Sequence, residues 1–259
     1  MRFEAGSLLS PSHLISHISQ LINMNLIVLK KNDFIDNENV ILKERRFKHL
    51  KRVNKVKKNQ ELSCGLLNGK IGSGKITTIS DNFLGMRVSL EKDPPEPLPL
   101  TLVLSLPRPK MLKRIIENIT SLGVKRIYLI NSWRVEKSYW QSPLLNEDQL
   151  EQYMILGLEQ SCDTILPKIY QKRFFTQFVK DELPLISKDS ICITAHPKAF
   201  KKCPSGVKNK TTLAIGPEGG FIDKEVETLE NIGFLSCHIG QRILKVETAV
   251  TSLIARLFL

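Results

Sequence analysis

The sequence predicts two folded parts in series: a small β-barrel, then an α/β domain built on a mostly parallel sheet. Three observations predict this. The run Asp93-Pro-Pro-Glu-Pro-Leu-Pro99 places four prolines in seven residues, which excludes both a helix and a central strand and marks a linker. Before it, short strand-like runs at 61–67, 75–79 and 83–90 are separated by the turn signals Asn68-Gly69 and Asp81-Asn82, the spacing of a small barrel. After it, strand-like and helix-like segments alternate, the pattern of a parallel sheet with crossover helices. The resulting division is a leader at 1–23, the barrel at 24–93, the linker at 94–99 and the α/β domain at 100–259.

In chain order, residues 1–23 carry one Arg and one Glu among Ser, Leu, Ile and His. No apolar h-region follows Arg2, so the segment does not read as a secretory signal; it reads as a disordered leader or as a mis-assigned start with Met24 the first residue. Lys43 to Lys58 holds nine basic residues and one acidic one, with Phe47, Leu50, Val53 and Val56 at helix-like spacing. That pattern predicts a helical or turn segment with one buried stripe and a basic outer face. Gly69-Lys-Ile-Gly-Ser-Gly-Lys75 satisfies most of a phosphate-binding loop. Ile76 stands where Ser or Thr should reach Mg²⁺, and the following residues are strand-like, so a Gly-rich hairpin explains it better.

Beyond the linker, Leu100–Leu106 reads as a strand, and Lys110–Leu122 as an amphipathic helix closed by Gly123. Arg126–Asn131 is the next strand, followed by a long helix over Glu147–Cys162. Strands over Ser190–Ala195 and Thr211–Ile215 follow. A helix over Asp223–Ile232 closes at Gly233, a strand covers Ser236–Ile239, and Glu247–Leu259 forms the last helix.

The formal net charge of the 259 residues is +12, which makes a polyanion the expected partner: nucleic acid first, an acidic membrane surface second. The charge is shared, +6 over residues 24–97 and +6 over 98–259, so it is denser in the smaller part. The five cysteines show no C-x-x-C pair and fit a reducing cytosol, hence a cytoplasmic protein. The five histidines are scattered, so no metal site is expected, and no apolar run is long enough to span a membrane.

Three strand-to-turn junctions carry the chemistry. Thr211-Thr-Leu-Ala-Ile215 runs into Gly216-Pro217-Glu218-Gly219-Gly220, where glycines allow a ligand to approach the backbone. Ser236-Cys-His-Ile-Gly240 runs into Gln241-Arg-Ile-Leu-Lys-Val-Glu-Thr-Ala249, crowding Arg242, Lys245 and Glu247 at one junction. Glu247 there reads equally as a helix-terminal acid. Ile193-Thr-Ala-His-Pro-Lys198 is the third. Three loops of one design point to a shared site.

These strings resemble the RsmE family. IGPEGGF (215–221) and IGQRILKVETA (239–249) are the specific ones; KMLKRIIENITSLGV (110–124), Glu159-Gln160-Ser161 with Pro167, Ala195-His196-Pro197 and HLKRV (49–53) add to them. The resemblance implies a PUA-like RNA-binding barrel over 24–93 and a SPOUT methyltransferase domain over 100–259 whose C-terminal segment forms a trefoil knot. It implies a homodimer that uses S-adenosyl-L-methionine to methylate N3 of a uridine in 16S rRNA of the small ribosomal subunit. The cofactor-binding residues carried over are Ala195, His196, Pro197, Ile215, Gly216, Pro217, Glu218, Gly219, Gly220, Ile239, Gly240, Arg242, Ile243, Leu244, Thr248 and Ala249. Arg242 is the candidate for stabilising the imide anion of the base, and Glu218 or Glu247 for accepting its proton. The RNA-binding residues are Arg45, Arg46, His49, Lys51, Arg52, Lys55, Lys57 and Lys58, with Arg108 and Arg134 in the larger part. Beside Arg134, Trp133 or Tyr139 is expected to stack on a base or to pack. Gln241, Lys245, Val246 and the Cys162-Asp163-Thr164 stretch depart from the family pattern, as do Asn118 and Ser121. Two other readings follow from the residues: an RNA-binding or ribosome-assembly factor that has lost the chemistry, and a nucleotide-dependent enzyme using 69–75.

Overall fold

A computed structural model describes residues 26–52 and 55–259, without the side chain of Arg52. The expected leader at 1–23 and Val53 lie outside the described residues. The chain divides into two compact units with the boundary between Asp93 and Pro94.

The first unit contains β1 (Ile27–Leu29), β2 (Asn39–Lys43), α1 (Glu44–Arg52), β3 (Glu61–Leu66), β4 (Ile71–Ile79) and β5 (Phe83–Lys92). The strands form one sheet in the order β1-β3-β4-β5-β2, with β1 parallel to β3 and the other pairs antiparallel. Both edge strands deliver side chains to one core, Ile27 and Leu29 from β1 and Val40 and Leu42 from β2, so the sheet curls into a half-barrel. Phe47 and Leu50 of α1 belong to the same core, which gives the basic segment its buried stripe. Strands β1 and β2 were not predicted: a three-residue and a five-residue edge carry little pattern.

In the glycine-rich stretch, Gly69 and Lys70 end a turn and residues 71–75 are the first part of β4. A Cβ on Gly72 would lie 1.8 Å from the Ser89 carbonyl oxygen, so the close approach of β5 requires this glycine and no phosphate is needed to explain it. Cys64 faces the same core, and burial pushes its thiol up to about 12. Cys162 is exposed. An alkylating reagent at about pH 8 is expected to label Cys162 promptly and Cys64 only on unfolding, which peptide mapping checks.

The second unit contains β6 (Leu100–Ser105), α2 (Pro109–Ser121), β7 (Arg126–Ile130), α3 (Glu147–Ser161), β8 (Lys168–Lys172), β9 (Ile191–Ala195), β10 (Lys201–Lys202), β11 (Thr211–Ile215), α4 (Asp223–Glu230), β12 (Leu235–His238) and α5 (Val246–Phe258). A helical stretch over 175–186 precedes β9. All seven strands run parallel in the order β10-β12-β9-β11-β6-β7-β8. Strands β6 and β11 are buried along their whole length, because both faces of a parallel sheet are covered. Leu102, Leu104, Leu213 and Ile215 face one core with α2, α3 and α5; Val103 and Ala214 face another with the 175–186 stretch and α4.

Local choices fix the helices. Gly123 and Gly233 take φ of +87° and +93° just beyond α2 and α4, as predicted for helix ends. Gly157 lets α2 and α3 touch: a Cβ there would lie 2.6 Å from the Glu117 carbonyl oxygen. The segment between β9 and β11 clasps the last helix. Arg256 Nε–H donates to the Cys203 carbonyl at 2.7 Å and Val207 N–H to the Leu257 carbonyl at 2.7 Å. The order β12-β9-β11 brings the three predicted junctions to one end of this sheet, since parallel strands end on the same side.

Candidate functional site

At the C-terminal ends of β9, β11 and β12 lies a cavity of about 350 Å³. Residues 195–197 and 215–220 line it, with Ile239, Gly240, Arg242, Ile243, Leu244 and Ala249. Thr248 and Glu247, also expected at the site, do not line it; Glu247 sits in the first turn of α5, the position of a helix-terminal acid.

The 215–221 loop owes its course to its glycines. A Cβ on Gly216 would lie 2.7 Å from the Phe221 nitrogen, so the chain can fold back there only without a side chain. Gly220 takes φ +72°, and its N–H donates to the Pro217 carbonyl at 2.7 Å, closing the turn. The His196 N–H donates to the Cys237 carbonyl at 2.9 Å, which ties the first loop to β12.

The charged residues are placed unequally. Glu218 lines the cavity, but its Oε1 accepts the Arg108 N–H at 2.9 Å, just ahead of α2. One oxygen of this candidate base therefore holds the N-terminus of a helix. Arg242 is exposed on the rim and forms no hydrogen bond or ion pair among the described residues. Arg134, expected on the RNA, is also a wall of the cavity, and its guanidinium donates to the Gly219 carbonyl. Trp133 beside it is 79% exposed, whereas Tyr139 packs against the core and donates its hydroxyl to Glu136. Ile215 is buried and Ile239 half-buried, while Ile243 is 83% exposed: the apolar lining is closed on one side and open on the other.

In the first unit, Arg46 is not available to a ligand. It bonds both oxygens of Asp33, at 2.5 and 2.6 Å, and the Val28 carbonyl at 3.0 Å. Lys51 lies 3.4 Å from Asp81 and over the Phe47 ring. Arg45, His49, Lys55, Lys57 and Lys58 are exposed.

Sequence reasoning missed Glu225. Buried in the first turn of α4, its carboxylate accepts the Ile222 N–H at 3.0 Å and the Trp133 N–H at 2.8 Å. It thereby fixes the 131–134 loop beside the glycine turn. The acidic first turn of α4 was the visible signal; the partner, 92 residues away, was not.

Known proteins resemble this chain in sequence and in fold. The RNA methyltransferase domain model matches residues 94–258, and the RNA methyltransferase PUA domain model matches 42–84. Ribosomal RNA small subunit methyltransferase E of Rickettsia conorii is 30% identical over 217 residues, 80% of this chain and 84% of its own length. Its namesake in Treponema pallidum is 28% identical over 237 residues, 87% of each chain. This chain belongs to the RsmE family. Among solved structures, the ribosomal RNA small subunit methyltransferase E of Neisseria gonorrhoeae, bound to S-adenosyl methionine, superposes with a TM-score of 0.72 at 20% identity, covering 90% of this chain and 96% of that one. A methyltransferase from Legionella pneumophila in complex with the same cofactor gives 0.70 at 22% identity, with 89% and 96% covered. The RsmE fold accounts for both units, a PUA-like half-barrel and a SPOUT trefoil-knot domain. Among the described residues of this RsmE chain, no group of His, Cys, Asp and Glu could hold a metal, and no helix is long and apolar enough to cross a membrane.

Proposed function

We propose that this chain transfers a methyl group from S-adenosylmethionine to N3 of a uridine in 16S rRNA of the small ribosomal subunit. The observation that carries the reading is the convergence of three turns from separate strands on one cavity, in a chain of the RsmE family. The cavity fits the cofactor. Its size is that of a small-molecule site, Ile215, Ile239 and Leu253 suit the faces of adenine, and Gly216, Gly219 and Gly220 line it with bare backbone. When bound, the cofactor supplies a methyl group on a cationic sulfur.

The remaining work falls to the chain. Loss of the uridine N3 proton leaves an imide anion, and Arg242 on the rim is the cation for it. The second oxygen of Glu218 is the candidate acceptor of that proton. The 195–197 and 239–244 loops hold the two reactants in line, an orientation effect. Arg134 and Trp133, fixed through Gly219 and Glu225, present a charge and an exposed ring to the RNA. Arg45, His49, Lys51, Lys55, Lys57 and Lys58 supply phosphate contacts from the PUA-like unit. Ile243 and Leu244, left open on the cavity rim, support closure by a second copy, hence a homodimer. Five free thiols support a cytosolic setting.

Calorimetry is expected to show binding of S-adenosylmethionine and none of ATP, and the unaltered chain is expected to methylate small subunits that lack the mark. The product should stop reverse transcription at a uridine, because N3 lies on the pairing edge. Binding of ATP alone, or methylation at another base position, would overturn the reading. RNA binding without cofactor binding would favour an assembly factor on the same fold. Neutralising Arg45, Lys51 and Lys55 is expected to lower the salt slope of RNA binding by about one for each phosphate no longer neutralised.

A further inference from the structure

The loop that follows β7 has two ends with different neighbours. Arg134 is a wall of the cofactor cavity, whereas Asn131 opens onto a separate cleft that it shares with Arg173 and Phe174 beyond β8. The Asn131 N–H donates to the Lys172 carbonyl at 2.9 Å, so the two loops run side by side. Three Cα steps separate Asn131 from Arg134, which limits their distance to about 11 Å.

Arg173, on the wall of this cleft, is oriented by a ring behind it. Trp140 is fixed, its Nε1–H donating to Asn131 Oδ1 at 2.9 Å. The Arg173 guanidinium lies over that indole, 5.5 Å from the ring centroid. Such stacking orients a guanidinium without neutralising it. Arg173 has no hydrogen bond or ion pair among the described residues, so its charge and its fork of donors are unused. Phe174 beside it is 73% exposed. A large ring held in water next to an oriented, unpaired cation serves no packing purpose, and it is the pairing that single-stranded nucleic acid recognises.

We propose that this cleft binds a nucleotide flanking the methylated base, with its phosphate on Arg173 and its base stacked on Phe174. The inference rests on the reading that the substrate is RNA, and it adds a second contact point to the one at Trp133 and Arg134. Lys180 and Asp181 line the same cleft as Arg173 and Phe174. The Asp181 carboxylate accepts the N–H groups of a base edge, which free phosphate does not offer, so the site favours a nucleotide over free phosphate.

The test compares the unaltered chain with the double variant Arg173→Ala/Phe174→Ala, using small subunits that lack the methyl mark. The KM for RNA is expected to rise about tenfold or more as the stack and the charge disappear, with a salt slope lower by about one. Cofactor affinity and melting temperature, which report on the fold, are expected to stay as they were. Photocrosslinking of thiouridine-substituted RNA to the unaltered chain is expected to place an adduct within 171–177. An unchanged KM and salt slope with no adduct there would overturn this inference alone. Failure of the unaltered chain to methylate any RNA would overturn the proposed function and this site with it.

Discussion

Replacement of Gly219 by Trp is expected to abolish measurable binding of S-adenosylmethionine, a loss of at least about a hundredfold, or about 2.7 kcal/mol. The position stands on the cavity wall, and a Cβ there would lie 2.8 Å from Cδ of Arg134. Arg134 is not free to swing aside without loss, because its guanidinium is bonded to the Gly219 carbonyl itself. An indole must therefore either displace Arg134 or turn into a cavity of about 350 Å³ and fill much of it. Either course removes the space for the cofactor. Gly219→Ala makes the effect graded: one methyl group against the far part of a long side chain is accommodated by a small shift, at a loss of about tenfold or less. Gly216 is a poorer probe, since its missing Cβ faces backbone and any substitution there disturbs the turn. Calorimetry on both Gly219 variants, with the melting temperature as control, decides the matter. A Trp variant that folds and keeps its affinity would show that the cofactor lies elsewhere.

The residues that were legible in the sequence share one property: their environment is set by near neighbours. Strands β6 and β11 are unbroken apolar runs because both faces are covered, and β11 leads straight into its glycine turn. Strand β8 reads Lys-Ile-Tyr-Gln-Lys and was missed, because it lies on the sheet edge and is mostly exposed. The 175–186 stretch was missed too; it breaks into short helical pieces with no sustained period. The three loops at 195–197, 215–220 and 239–249 were found because each is a strand that ends abruptly in glycine or proline. Charged residues were harder. Arg46 looks like its neighbours in a basic run, yet Asp33 and the Val28 carbonyl hold it inside. Glu218 looks like a base beside a ligand, yet one of its oxygens caps a helix 110 residues earlier. A charge declares its type in the sequence and its partner only in the fold.

Lys125 and Asp163 show the same point in a form that stability measurements reach. Asp163→Ala is expected to destabilise the second unit by about 3–5 kcal/mol, because it leaves a buried cation without its partner. At about 2–4 °C per kcal/mol for a unit of this size, the melting temperature falls by on the order of 10 °C. The Lys125 ammonium lies 2.5 Å from Asp163 Oδ2 and 2.7 Å from the Ile165 carbonyl, and the side chains are 13% and 5% exposed. The other Asp163 oxygen accepts the Ile165 N–H at 2.9 Å, so the pair also fixes the chain that leaves α3 after Cys162, a residue at φ +54°. Burial pulls the Lys125 pKa below its ordinary value, and Asp163 is what opposes that pull. The sign of the pH effect follows. Without Asp163 the folded chain holds the Lys125 proton less tightly than the unfolded chain does, so stability rises as pH climbs toward the ordinary lysine range. The deficit of the variant should therefore narrow as pH rises toward the ordinary lysine value of 10.5. Replacing both residues, as Lys125→Met/Asp163→Leu, is expected to recover much of the loss, because no unpaired charge is then buried. Lys125 leads into the start of β7, whereas the cavity sits at the far ends of the strands. Cofactor affinity of the Asp163 variant, measured well below its melting temperature, is expected to match that of the unaltered chain. A variant that melts within about 2 °C of the unaltered chain would show that the pair holds nothing the surrounding core does not already hold.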